Sequence, residues 1–147
     1  MKVIYGTGNL AKKKQVEDFF KATNMDIEIV SLKEIGFNQE IIEDGATFEE
    51  NSMIKAKAIQ SFCKEKNIEG IIVTDDTGLC VDCLNGEPGV YTARYAGDHA
   101  PQEVAIEKLL RNIEKTGDRE RKAKFVCVLT AILPNGEIKQ VRGETIR

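Results

Sequence analysis

An α/β fold is predicted by three features of the chain. An apolar N-terminal segment, Lys2-Val3-Ile4-Tyr5, turns abruptly at Gly6-Thr7-Gly8-Asn9 into a stretch of helical character that runs through Lys12 to about Phe20. A later segment, Gly70-Ile71-Ile72-Val73-Thr74, is continuously apolar, the pattern of a strand buried on both faces. It ends in Asp75-Asp76-Thr77-Gly78, and open α/β sheets place their chemistry at the C-terminal end of such a strand.

Each element has a local reason. At the first turn Gly6 and Gly8 loosen the backbone and Asn9 can cap the helix. The unsatisfied first-turn N–H groups and the helix dipole then favour an anion, over which Lys12 can fold back. The turn lacks both the P-loop spacing and the third glycine of the dinucleotide fingerprint, so an ordinary capped turn is the competing reading. Asp26 to Leu32 alternates polar and apolar residues, which predicts a second strand near a sheet edge. Residues 33–46 carry little periodicity and end in an acidic stretch, Glu40 to Gly45, either a solvated connector or a functional loop.

Thr47-Phe48-Glu49-Glu50 is a capping box that opens a helix to about Lys66, with Ile54, Ala58, Ile59 and Phe62 as the expected buried stripe. Asn51 and Lys55, four residues apart, share a face of it and can point at one target. Asp75 and Asp76 are strand neighbours and point to opposite faces, so different roles are expected of them. One can face a metal while the other accepts hydrogen bonds that fix the loop.

Leu84 to Gly89 is turn chemistry. Val90 to Gly97 sets Arg94 between two tyrosines, where it can pair with the acids, hold phosphate or lie on the surface. A helix is expected from Pro101, a proline of the first-turn type, with Val104, Ile106, Leu109, Leu110 and Ile113 as its apolar face. Residues 124–133 form the longest strand candidate, and Pro134-Asn135-Gly136-Glu137 signals a hairpin returning along Ile138 to Val141.

At 147 residues, 41 % hydrophobic and 31 % charged, the chain suits one globular domain. A net charge of −3 and a pI near 5.3 argue against a general nucleic-acid binder, so a bound phosphate would need a local group of lysines. No apolar run approaches the length of a membrane span, and the expected location is the cytoplasm. The four cysteines fit reduced thiols. Cys80-Val81-Asp82-Cys83 has no second pair at zinc-ligand spacing and sits in strand-like sequence, so it reads as coincidence.

Together these segments resemble the inosine/xanthosine triphosphate pyrophosphatases, which hydrolyse non-standard purine nucleoside triphosphates. Thr7-Gly8-Asn9 with Lys12 is similar to the family's phosphate loop. Glu43-Asp44-Gly45-Ala46-Thr47-Phe48-Glu49-Glu50-Asn51, followed by Lys55-Ala56, is similar to its acidic loop and helix. Asp75 to Leu79 and Gly89 to Tyr95 match two further motifs, so the likeness covers almost the whole chain.

The resemblance implies a long, twisted mixed sheet with flanking helices and two lobes around a cleft. It also implies a homodimer, a Mg²⁺ ion, and cleavage of ITP, dITP or XTP to a monophosphate and pyrophosphate. Thr7, Gly8, Asn9, Lys12, Lys55 and Thr77 would then bind substrate. Glu43 and Asp76 would hold the metal, Glu43 being chosen over Glu40 and Glu50. Asp76 would be the catalytic base. The family's Phe-Gly-Tyr-Asp and Ser-His-Arg segments do not occur, so the expectation is one pyrophosphatase domain lacking its C-terminal part. The alternatives are a non-catalytic nucleotide- or phosphate-binding module and a pyrophosphatase of other nucleotide preference.

Overall fold

A computed structural model describes residues 1–7, 10–97 and 100–146. The expected capping by Asn9 and the phosphate-loop position of Gly8 lie outside the described residues. The strands β1 (Lys2–Tyr5), β2 (Glu28–Ser31), β3 (Ile71–Val81), β4 (Ala123–Ile132) and β5 (Ile138–Ile146) form one mixed sheet in the order β2-β1-β3-β4-β5. β1 pairs in parallel with β2 and β3, whereas β4 runs antiparallel to β3 and β5. The helices are α1 (Leu10–Ala22), α2 (Phe48–Glu65) and α3 (Gln102–Thr116). The architecture is the predicted mixed sheet with helices around it, and β2 lies at the edge, as its alternation predicts. No helix among the described residues is long and apolar enough to cross a membrane.

The pleat divides the core. Val3, Tyr5 and Ile29 pack with Val16 and Phe20 of α1 on one face of the sheet. Ile4, Ile72 and Ile132 pack with Ala56, Ile59, Phe62 and Cys63 of α2 on the other. Every alternate side chain of β3 therefore belongs to a different layer, and Asp75 and Asp76 are split between the two.

The aspartates lie in the middle of β3 rather than at its end. The strand continues because its antiparallel ladder with β4 runs unbroken from Ile72↔Ile132 to Val81↔Ala123. Gly78 lets this happen. A Cβ there would stand 2.6 Å from the Phe48 ring and would collide with the Gly89 carbonyl.

Three further expectations change. The buried stripe of α2 runs through Phe48, Asn51, Ser52, Ala56, Ile59, Phe62 and Cys63, so Ile54 and Ala58 fall outside it. Hydrophobicity misplaces the stripe because two of its members are polar and satisfied by the sheet. Ser52 Oγ lies 2.7 Å from Thr130 Oγ1, and the Thr74 hydroxyl donates to the Ser52 carbonyl at 2.8 Å. In α3 only Ile113 is buried, while Val104, Ile106 and Leu110 are exposed, because the helix packs chiefly on the 3-10 turn Asp82–Leu84. Pro101 is the residue before this helix rather than its first member. Finally, β5 extends past Val141 to Ile146, held by a ladder that reaches Lys124↔Ile146.

Candidate active site

α2 enters where the acidic loop ends. Thr47 adopts an extended conformation and its hydroxyl accepts the Glu50 N–H at 3.1 Å, which ends one of the orphan donors of the first turn. Glu50 reaches back to the Ala46 N–H at 2.7 Å, one residue earlier than the capping-box pattern predicts. The residues that follow on this helix, Asn51 and Lys55, face the second layer of β3.

Asn51 is 1 % exposed and joins two segments. Its Oδ1 accepts the Gly45 N–H at 2.8 Å, so its amide nitrogen is left to donate, and the side chain favours the ionised form of the Asp76 carboxyl. Gly45 permits this approach, since a Cβ there would lie 2.7 Å from Asn51 Oδ1. Lys55 donates to the Asp75 carbonyl at 2.6 Å and forms an ion pair with Glu43 at 3.0 Å. Glu43, Lys55 and Asp76 thereby line one cleft. Among the described residues Arg94 pairs with no carboxylate; it donates to the Glu43 carbonyl at 3.2 Å and lies over the Tyr91 ring.

Asp75 serves the opposite layer. It is 6 % exposed, and its Oδ2 accepts from Lys12 Nζ and from the Thr77 hydroxyl, each at 3.0 Å. Tyr5, on the neighbouring strand, lies close enough to feel the charge of this carboxylate. Burial first, and then the Asp75 charge, push the Tyr5 hydroxyl up to about 12, so it remains a donor. Asp75 is thus a hub that ties Lys12 of α1 to Thr77 of its own strand, rather than fixing a loop. Lys12 and Thr77 line the cleft while bonded to it. The place of Tyr5 had no sequence signal, because it reads as one more member of the apolar run Val3-Ile4-Tyr5.

Asp76 is the chemically unusual group. Its Oδ2 is buried with no hydrogen-bond partner among the described residues. Burial is the main cause that pushes its carboxyl up to about 6; Lys55 opposes the shift and Glu43 adds to it. A buried carboxylate oxygen left unpaired is costly, and a cation would relieve it.

No three His, Cys, Asp or Glu side chains group to hold a metal among the described residues. Two carboxylates, Glu43 and Asp76, fit Mg²⁺, which keeps waters and takes phosphate oxygens beside one or two protein carboxylates. Cys80 lies within β3 and Cys83 in the 3-10 turn after it, away from any α-helix start, and both are free thiols.

These groups converge on a cleft of about 710 Å³ that also takes in Thr7 at the end of β1. Gly8 and Asn9, between Thr7 and α1, lie outside the described residues, as does His99. The cleft therefore combines lysines with an acid that has no hydrogen-bond partner among the described residues, a set suited to a phosphorylated ligand with a divalent ion.

A family profile described as the Ham1 family matches residues 3–146. The chain belongs to the Ham1 family. A dITP/XTP pyrophosphatase of Clostridium perfringens is 43 % identical over 145 residues, covering 98 % of this Ham1-family chain and 70 % of that protein. One from Caldanaerobacter subterraneus is 42 % identical over 138 residues, covering 94 % of this chain and 66 % of that protein. Among solved structures, the Ham1 protein of Staphylococcus aureus matches with a TM-score of 0.81 at 34 % identity, over 99 % of this chain and 70 % of the other. The chain spans between 66 % and 70 % of the length of these two curated relatives.

Proposed function

We propose that this Ham1-family chain is a Mg²⁺-dependent pyrophosphatase that hydrolyses ITP, dITP or XTP to the monophosphate and pyrophosphate. The observation that carries the reading is the buried, unpartnered Oδ2 of Asp76, set beside Glu43 and Lys55 in a cleft that also presents Lys12. The names of the C. perfringens and C. subterraneus relatives supply the substrate class. In this reading the chain is a catalytic domain that works as a cytoplasmic homodimer and does not bind nucleic acid.

Substrate binding falls to Thr7, Gly8 and Asn9, to Lys12 of α1, and to Lys55 and Thr77. Asp75 orients Lys12 and Thr77 through its carboxylate. Glu43 and Asp76 would hold Mg²⁺. The ion, when bound, supplies Lewis-acid neutralisation of phosphate charge and a template for in-line displacement.

Asp76 orients a water against the α-phosphorus and accepts its proton. The new P–O bond forms to that water oxygen, and the bond to the bridging oxygen breaks, so pyrophosphate leaves with the electron pair. With no cation bound, burial raises the Asp76 carboxyl to about 6, so it is ionised at neutral pH and open to a divalent ion. Asn51 keeps the carboxylate in one orientation. Lys55 lowers the cost of gathering Glu43, Asp76 and phosphate together.

The test is an incubation with ITP, dITP, XTP, dUTP, ATP and GTP, with Mg²⁺ or with EDTA. Monophosphate and pyrophosphate are expected from the first three with Mg²⁺ only. Asp76→Asn is expected to lose at least about 10²-fold in rate, the scale of general-base catalysis. Absence of turnover with every nucleotide would refute the reading, and turnover retained by Asp76→Asn would refute the base.

A further inference from the structure

Beyond the acids, the cleft runs on to the turn that follows β2, where Ser31, Lys33, Asn38 and Gln39 line it. This turn is pinned. Glu34 pairs with Lys13 of α1 at 3.1 Å, and its N–H donates to Ser31 Oγ at 3.1 Å. The Phe37 N–H donates to the Leu32 carbonyl at 2.9 Å, and the Phe37 ring packs edge-on against Phe62 with centroids 5.1 Å apart. Lys33 alone among the cleft lysines is uncommitted: its ammonium, exposed, makes no hydrogen bond or ion pair with any described residue.

Charge gives that lysine a task. Lys12, Lys33 and Lys55 face Glu43, Asp75 and Asp76 across the same cleft, so cations and carboxylates are equal in number there. Lys12 is engaged by Asp75, and Lys55 by Glu43. A triphosphate carries several negative charges and needs a cation that no carboxylate already neutralises.

Position selects which part of the ligand Lys33 meets. If the α-phosphorus sits at Asp76 of β3, the turn after β2 is two strand spacings away, about 10 Å. Two further phosphates plus a lysine side chain span that gap. A purine would want an exposed aromatic face, and Phe37, the ring at this end, is 6 % exposed and already packed on Phe62.

We propose that Lys33, flanked by the amides of Asn38 and Gln39, binds the terminal phosphates of the substrate, the portion that leaves as pyrophosphate. The proposal rests on the pyrophosphatase reading for its choice of ligand.

The test compares the wild-type chain with Lys33→Ala and Lys33→Arg, using inorganic tripolyphosphate and IMP as probes in calorimetric titrations with Mg²⁺. Lys33→Ala is expected to weaken tripolyphosphate binding roughly ten- to a hundredfold, the worth of one charge-assisted contact, and to leave IMP affinity and melting temperature unchanged. Lys33→Arg is expected to keep most of the affinity. KM for ITP should rise in Lys33→Ala with a smaller change in kcat. Tripolyphosphate affinity within twofold of wild type, equal weakening of IMP, or no tripolyphosphate binding by the wild type would each overturn the proposal. A wild-type chain that binds tripolyphosphate through Lys33 but hydrolyses no nucleotide would overturn the pyrophosphatase reading instead.

Discussion

Asp76 shows how one residue is pulled between stability and use. Burial holds its carboxyl at about 6 against an ordinary 3.8, so the folded state binds a proton more tightly than the unfolded chain does. The stabilising contribution is full below pH 3.8 and is lost as pH rises through about 6. At neutral pH the native state therefore carries an ionised carboxylate that its surroundings disfavour. Asp76→Asn, measured by thermal melting in EDTA, is expected to be more stable than wild type above pH 6, by roughly 1–2 kcal/mol after allowance for solvent screening. The two should converge below about pH 4. An equal or lower melting temperature for the variant at pH 7.5 would contradict this. The paired acids were legible as a site in the sequence because Asp-Asp-Thr-Gly follows an apolar strand. Their division of labour follows from the pleat alone, whereas the Tyr5 and Asn51 contacts depend on which strand and helix come to lie beside them.

At the scale of elements, α2 carries the site because its buried face is partly polar. The Ser52 and Thr130 hydroxyls fix its seat on the sheet, and Gln140 of β5 extends the network, donating to Thr130 Oγ1 and to the Glu49 carbonyl at 2.9 Å each. That arrangement sets Asn51 and Lys55 one helical turn apart over β3. Thr47→Ala should cost about 1 kcal/mol in chemical denaturation through loss of the N-cap. Gly78→Ala should cost more, about 1–3 kcal/mol, by forcing the Phe48 ring and the Gly89 carbonyl apart. A Gly78→Ala chain as stable as wild type would show that this packing yields freely. Capping residues of α2 were readable, since the box is a local pattern. The stripe was not, because a buried serine and asparagine resemble surface residues until their partners from β3, β4 and the acidic loop are in place. The exposed apolar face of α3 likewise cannot be inferred from periodicity, which marks amphipathicity without naming a neighbour.

For the whole molecule, the cleft joins segments scattered from Gly6 to Ala93, so a ligand that fills it ties the chain together. Mg²⁺ with tripolyphosphate at about 100 times the dissociation constant should add about 2.7 kcal/mol, or several degrees of melting temperature for a chain of this size. EDTA should remove most of that gain if Glu43 and Asp76 hold the ion, and an unchanged shift in EDTA would place the binding elsewhere. What the sequence determined by itself was local or patterned: buried strands, the capped start of α2, the opposite orientation of Asp75 and Asp76, and motifs dense enough to mark a family. What only the tertiary structure decided was proximity. The parallel pairing of β1 with β3 brings Lys12 onto Asp75, and the seat of α2 on the opposite face brings Lys55 and Asn51 onto the acids. Those meetings depend on burial shared between segments tens of residues apart, and no single segment contains the free energy that makes them.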